Sequence, residues 1–360
     1  MSATFGNKIK ITLYGTSHGP SIGAEITGVP AGFKVDEEKL AAFMGRRRAK
    51  GNLATPRIEA DKVIFTQGLT QGVTNGDTLC IMINNTNTRS GDYADVAKIP
   101  RPNHADFAAF MKYGDDYDFR GGGQFSGRLT AAWCAAGFIC LELLSQKGIT
   151  VVSHVSRIGE VTDEPIDNLA PDIQLNQKLK SSAFPVINEE ARERMSEAIL
   201  AKKAMGDSLG GEIECAIYNL PAGLGSDFFG GLEALVAQTV FSIPAVKGLE
   251  FGKGFEFASM CASVANDPFG IDENGEVVTL SNNCGGILGG ISSGMPLTFK
   301  AAFKPTPSIS IPQKSVDLKT MTETEFTIHG RHDPCIVPRA AAVVEAAAAM
   351  AIINADGFEI

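Results

Sequence analysis

Several signatures that would identify a function directly are missing from this sequence of 360 residues. Its seven cysteines (Cys80, Cys134, Cys140, Cys215, Cys261, Cys284 and Cys335) form no CxxC pair and show no zinc-like spacing to histidine. Odd in number and set mostly in apolar stretches, they read as reduced, buried thiols, and no metal is expected. No GxGxxG follows a strand and opens a helix, so a dinucleotide-dependent reductase lacks its fingerprint. Positive charge is in deficit, and a net charge of −9 argues against nucleic acid and anionic membranes as partners. The first eight residues hold no apolar signal core. The one long apolar run, Ile336 to Ile353, is interrupted by Arg339 and Glu345 and reads as a buried core helix. A cytoplasmic location is expected. No low-complexity linker divides the chain, so a single α+β domain over 1–360 is expected.

Alternation of apolar and polar residues predicts strands at 8–14, 22–29, 62–67, 78–84, 149–155, 211–219, 255–262 and 295–303. Asp36 caps a predicted helix to about Arg48, and Asn188 caps another to Met205 that Gly206 stops. A short helix is expected at 104–113, a long buried one at 129–147 and another at 231–241. The polar segment 163–188, with three prolines, reads as a surface loop. Strands, a long helix, then strands and a long helix again hint at duplication.

What the chain does have is glycine between arginines, Arg120-Gly-Gly-Gly-Gln-Phe-Ser-Gly-Arg128, running into an apolar helix. Glycines let backbone N–H groups approach a ligand, and a helix start with two arginines favours an anion. Gly122 and Gly127 have P-loop spacing, but Arg128 and Leu129 replace the Lys and Ser/Thr of a nucleotide hydrolase. Alternatively, this is a turn with surface arginines. Gly15-Thr-Ser-His-Gly19 and Arg101-Pro-Asn-His-Ala-Asp106 place histidines suited to proton transfer in loops, or histidines held by neighbouring backbone. Arg46-Arg-Arg48 is a solvated helix end or an anion grip. Lys304-Pro-Thr-Pro-Ser308 and Gly330-Arg-His-Asp-Pro-Cys335 add hydroxyls and charge, and Asp333 is a possible N-cap of the last helix. Together they suit a polyanionic substrate and acid-assisted departure of phosphate, and no Ser-His-Asp signature is present.

In this order, these motifs resemble the chorismate synthase family. Ala245-Val-Lys-Gly248 and the run Gly285-Gly-Ile-Leu-Gly-Gly-Ile-Ser-Ser-Gly294 add to a match from end to end. The resemblance implies a β-α-β sandwich of antiparallel sheets around long central helices, assembled as a homotetramer. It implies anti 1,4-elimination of phosphate from 5-enolpyruvylshikimate 3-phosphate, dependent on reduced FMN, with NADPH needed only where the enzyme reduces its own flavin. By matching position, His18 is implied as the acid for phosphate, His104 beside the flavin, and Asp333 near the flavin nitrogen that takes part in proton removal. Ser17, Arg48, Arg128 and Arg331 are implied at substrate. Gln124, Phe125, Ser126, Ala245, Gly289, Lys304, Pro305, Thr306, Pro307, Ser308 and Arg331 are implied at FMN. Thr16, Gln124-Phe125 and Pro244 depart from the family's usual residues. A non-catalytic phosphometabolite- or flavin-binding homologue is the alternative.

Overall fold

In the computed structural model, which describes residues 3–48, 51–55, 59–87, 99–114, 117–118, 120–328 and 333–360, strands β1 (Ala3–Phe5), β2 (Lys10–Gly15) and β3 (Ser21–Thr27) lead into helix α1 (Glu37–Arg47). Asp36 caps α1 by accepting from the amides of Glu38 and Lys39. Strand β4 (Ile64–Gln67), a ribbon of β5 (Leu69–Thr70) and β6 (Val73–Thr74), and strand β7 (Leu79–Asn84) follow. The first sheet is antiparallel, in the order β1-β2-β3-β7-β4. Helix α2 (Asp106–Tyr113) precedes the Gly-rich loop and α3 (Thr130–Gln146) follows it.

The chain continues through β8 (Thr150–Ile158), β9 (Val161–Thr162), α4 (Ile173–Ser181), α5 (Glu189–Ala204), β10 (Gly211–Tyr218), α6 (Leu232–Val240) and β11 (Val246–Phe251). A short helix α7 (Ala262–Ala265) and ribbons β12 (Phe269–Ile271)/β13 (Val277–Thr279) and β14 (Ile287–Leu288)/β15 (Ile291–Ser292) come next. Strand β16 (Leu297–Phe303), ribbon β17 (Gln313–Asp317)/β18 (Thr322–Phe326) and helix α8 (Val337–Ile353) complete the described chain. The second sheet, also antiparallel, runs β11-β16-β10-β8-β9.

Helices α3 and α8 fill the space between the sheets. Helix α3 packs on β3 and β7, α8 packs on β8 and β10, and the two helices pack on each other. Small residues set that closeness: a Cβ at Gly137 would stand 2.3 Å from the Cβ of Ala346. The segment Gly127–Gln146 is long and apolar enough to cross a membrane, but the residues of α3 are largely buried here as core. The expected sandwich around long central helices is therefore the observed one.

Three local expectations need correction. The segment 163–188 is not all loop, because it contains α4, capped by Asp172 accepting from the amide of Leu175. Leu179 of α4 is fully buried, packed with Val152 and Tyr218 beneath it. The buried His154 of β8 anchors the start of this segment, lying 3.1 Å from Asp163 and 2.8 Å from Glu214. The residues 255–262 form a 3-10 turn (Gly254–Ser259) rather than a strand, and the strand is β11 just before it. Phe255 and Phe257 alternate like strand residues, yet Phe255 is exposed and has no sheet face to bury against. Finally, Arg46 and Arg47 are not a solvated helix end. Both are buried, Arg46 gripping Glu345 of α8 through two contacts of 2.6 and 2.8 Å.

Candidate active site

The Gly-rich loop folds as tight turns with Gly121, Gly122 and Gly123 at φ of 61°, 86° and 53°. This left-handed backbone suits glycine, and the absent side chains make room for the histidines. A Cβ at Gly121 would lie 2.3 Å from His18 Cε1 and 2.7 Å from Ser17 Oγ. A Cβ at Gly122 would lie 3.2 Å from His104 Cε1 and 3.3 Å from its Nε2. Successive glycines thus face the two histidines predicted from separate motifs. The Ser17 amide donates to Gly123 O at 3.1 Å, which ties the His18 loop to the Gly-rich loop. The Tyr117 hydroxyl donates to Gly122 O at 3.1 Å. Phe125, partly exposed, packs near Tyr113 and Tyr117 with ring centroids 6.4 and 5.9 Å away. Gln124 is half-buried beside it, and Ser126 Oγ accepts from the Arg128 amide.

His104 sits just before α2 and is held from one side. Its Nδ1 lies 2.7 Å from Asp106 Oδ1 and 3.1 Å from Arg101 Nη2; the shorter contact to an ionised carboxylate favours the proton on Nδ1, which leaves Nε2 toward Gly122. Asp106 does not cap the helix. It is fully buried and receives Arg101 Nε and Nη2 at 2.7 and 2.8 Å. Burial opposes the Asp106 charge, but hydrogen bonds from Arg101 and His104 outweigh it and hold the carboxyl well below the usual range. Burial lowers the His104 pKa, aided by the Arg101 and Lys304 charges and opposed by the Asp106 hydrogen bond, so the imidazole is neutral at pH 7.

The segment 304–308 docks against this element. Lys304 Nζ donates to Asn103 O, Arg101 Nη1 donates to Ser308 Oγ at 3.2 Å, and Ser315 Oγ donates to Pro100 O at 2.6 Å. The Lys304 amide donates to Ala245 O at 3.0 Å, and Ala245 sits at φ 77°, a strained position for a residue with a Cβ. Thr306 O and Pro307 O accept from Ser208 Oγ and Gln313 Nε2, and Pro305 packs against Gly210. The buried hydroxyl oxygens of Thr306 and Ser17 have no hydrogen-bond partner within the described protein. Donor hydroxyls, a lysine and left-handed glycines within one group of loops are the chemistry that a phosphate-bearing cofactor or substrate requires.

Each described arginine of these motifs is held by a protein partner. Arg120 is exposed and paired with Asp118 at 2.8 Å. Arg128 is buried, its Nη1 donating to Asp61 and its Nε to Asn85 Oδ1 at 2.8 Å. Arg48 folds back on its own helix, donating to Ala41 O at 3.2 Å. Arg331 lies outside the described residues. Asp333 is not an N-cap, a position taken by Ile336. Instead it receives the Thr55 amide at 2.9 Å and Arg339 Nη1 at 2.8 and 3.0 Å. Asp333 and Ser308 line one cavity of ≈ 100 Å³. Gly289 turns the β14/β15 ribbon, and its neighbour Gly290 packs on Ser226 and Gly231 before α6.

Sequence reading missed Asp61, Asn85 and Arg339. Asn84-Asn85 at the end of β7 carried a turn signal, Arg339 stood out only as a break in the apolar run, and Asp61 sat among neighbouring charges with nothing to single it out.

Matches along the whole length place the chain among the phosphate-eliminating lyases. The family model described as chorismate synthase matches residues 9–356. The chain is 44% identical over 347 residues to the chorismate synthase of Dehalococcoides mccartyi, covering 96% of this chain and 94% of that one. It is 43% identical over 351 residues to that of Pyrococcus abyssi, covering 98% and 96% respectively. A crystal structure of chorismate synthase superposes with a TM-score of 0.75 at 27% identity, covering 97% of this chain and 92% of that one. The chain belongs to the chorismate synthase family.

Proposed function

We propose that the chain converts 5-enolpyruvylshikimate 3-phosphate into chorismate and phosphate by anti 1,4-elimination, with reduced FMN bound. The observation that carries this reading is the pair of histidines against Gly121 and Gly122, one in the turn between β2 and β3 and one neutral and braced by Asp106. His18 donates a proton to the departing phosphate, and Ser17 Oγ beside it is a donor for the same group. His104, protonated at Nδ1, turns Nε2 toward the flavin side of the loop. Lys304 to Ser308, Ala245 and Gln124 to Ser126 would hold FMN, Gly289 and Arg331 completing the set. When bound, reduced FMN supplies electron density to a reaction with no net redox change. Asp333, oriented by Arg339 and the Thr55 amide, takes part in accepting the substrate proton. Arg331 contributes positive charge toward substrate, Arg128 adds its charge from behind the Gly-rich loop while held by Asp61 and Asn85, and Arg48 would join them only on releasing Ala41 O.

A homotetramer fits the surface, where Phe228, Phe229 and Phe255 are 87%, 98% and 82% exposed, more apolar area than water favours. The location proposed is the cytoplasm. Phosphate release is measured anaerobically with dithionite-reduced FMN, then with FMN and NADPH alone. Turnover with dithionite is expected; turnover with NADPH as well would add a flavin reductase activity. Folded protein that binds FMN but releases no phosphate in either arm would instead be a binding homologue.

A further inference from the structure

The buried charges behind the Gly-rich loop form one connected assembly. Asp61, with a side chain 1% exposed, accepts Arg47 Nη1 at 2.8 Å on one oxygen and Arg128 Nη1 on the other. Arg47 also donates through Nη2 to Gly127 O at 2.9 Å and through Nε to Thr130 Oγ1 at 2.8 Å, gripping the exit of the Gly-rich loop. Arg128 reaches the other way, to Asn85 Oδ1. The Asn85 amide then donates to Thr16 O at 3.1 Å and Gly19 O at 2.8 Å, the two ends of the turn that carries His18.

We propose that Asp61 is a positioning residue for the elimination, acting through Arg47, Arg128 and Asn85 to set His18 against the Gly-rich loop. This rests on the reading of His18 as the phosphate-side acid. The physical reason is charge. Two buried guanidiniums within reach of one another repel unless a carboxylate lies between them, and both their remaining donors are spent on the loops that frame His18. Asp61 occupies left-handed backbone at φ 49°, so the surrounding structure holds it there against a local strain. Removing the carboxylate lets the arginines part, and Gly127 and Asn85 move with them. A displacement near 1 Å at a reacting group is enough to lower turnover by about a hundredfold.

The test is a double-mutant cycle in kcat, measured anaerobically at saturating substrate and dithionite-reduced FMN, with folding checked by circular dichroism. Asp61→Ala alone is expected to lose about a hundredfold, and Asp61→Ala added to His18→Ala is expected to lose less than about threefold more, because the loss runs through His18. Asn85→Ala, which removes no charge, follows the same pattern with a smaller single loss and serves as the cycle if Asp61→Ala does not fold. Unchanged kcat in folded Asp61→Ala, or the full factor appearing again on top of His18→Ala, would overturn the proposal. Normal kcat in His18→Ala alone would instead remove the reading of His18.

Discussion

Gly121→Ala lowers kcat by about a hundredfold or more, while Gly127→Ala in the same loop stays within about threefold of wild type. The contrast comes from two positions with opposite surroundings. At Gly121 a Cβ would stand 2.3 Å from His18 Cε1 and 2.5 Å from Nδ1, and the backbone is left-handed at φ 61°. A methyl group there adds roughly 1–2 kcal/mol of backbone strain and forces the imidazole aside. At Gly127 a Cβ meets nothing within 4 Å, and its φ is not left-handed. Steady-state kinetics on both variants checks this. Equal losses would mean that His18 is not held against the loop, and near-normal Gly121→Ala would mean the imidazole acts from another place.

The second large effect is on stability. Glu345→Ala is expected to lower unfolding free energy by about 3–5 kcal/mol, read as a lower urea midpoint, because it strands a buried guanidinium. Arg46 and Glu345 side chains are 7% and 2% exposed, paired at 2.6 Å, and Glu345 also receives the Ser153 amide at 3.0 Å. Burial disfavours the Arg46 charge, but the Glu345 contact outweighs it and raises the guanidinium pKa. The double replacement Arg46→Met with Glu345→Leu should recover most of the loss, since apolar groups of similar volume tolerate the site. A midpoint unchanged in Glu345→Ala would show that water reaches Arg46.

The layers of the fold were legible in the sequence because α3 and α8 are apolar along nearly their whole length, Glu142, Arg339 and Glu345 being their only charges. Phe255 misled because alternation appears wherever a turn exposes every second aromatic, and α4 was hidden because its buried face is little more than Asn176 and Leu179. In the site, glycine and histidine gave their places away through composition. The arginines did not, because charge in a sequence does not reveal its partner. Arg46 and Arg47 at a helix end look solvated until Glu345 and Asp61, 299 and 14 residues distant, close on them. Asn85 was concealed in the same way, 43 residues from Arg128.

The most direct test of the division of labour between the histidines measures two quantities on His18→Ala and His104→Ala, anaerobic phosphate release and affinity for reduced FMN. The account predicts that His18→Ala loses phosphate release by about 10²–10⁴-fold with FMN affinity kept, whereas His104→Ala weakens reduced FMN binding. Loss of FMN binding in His18→Ala with phosphate release intact in single turnover would contradict it.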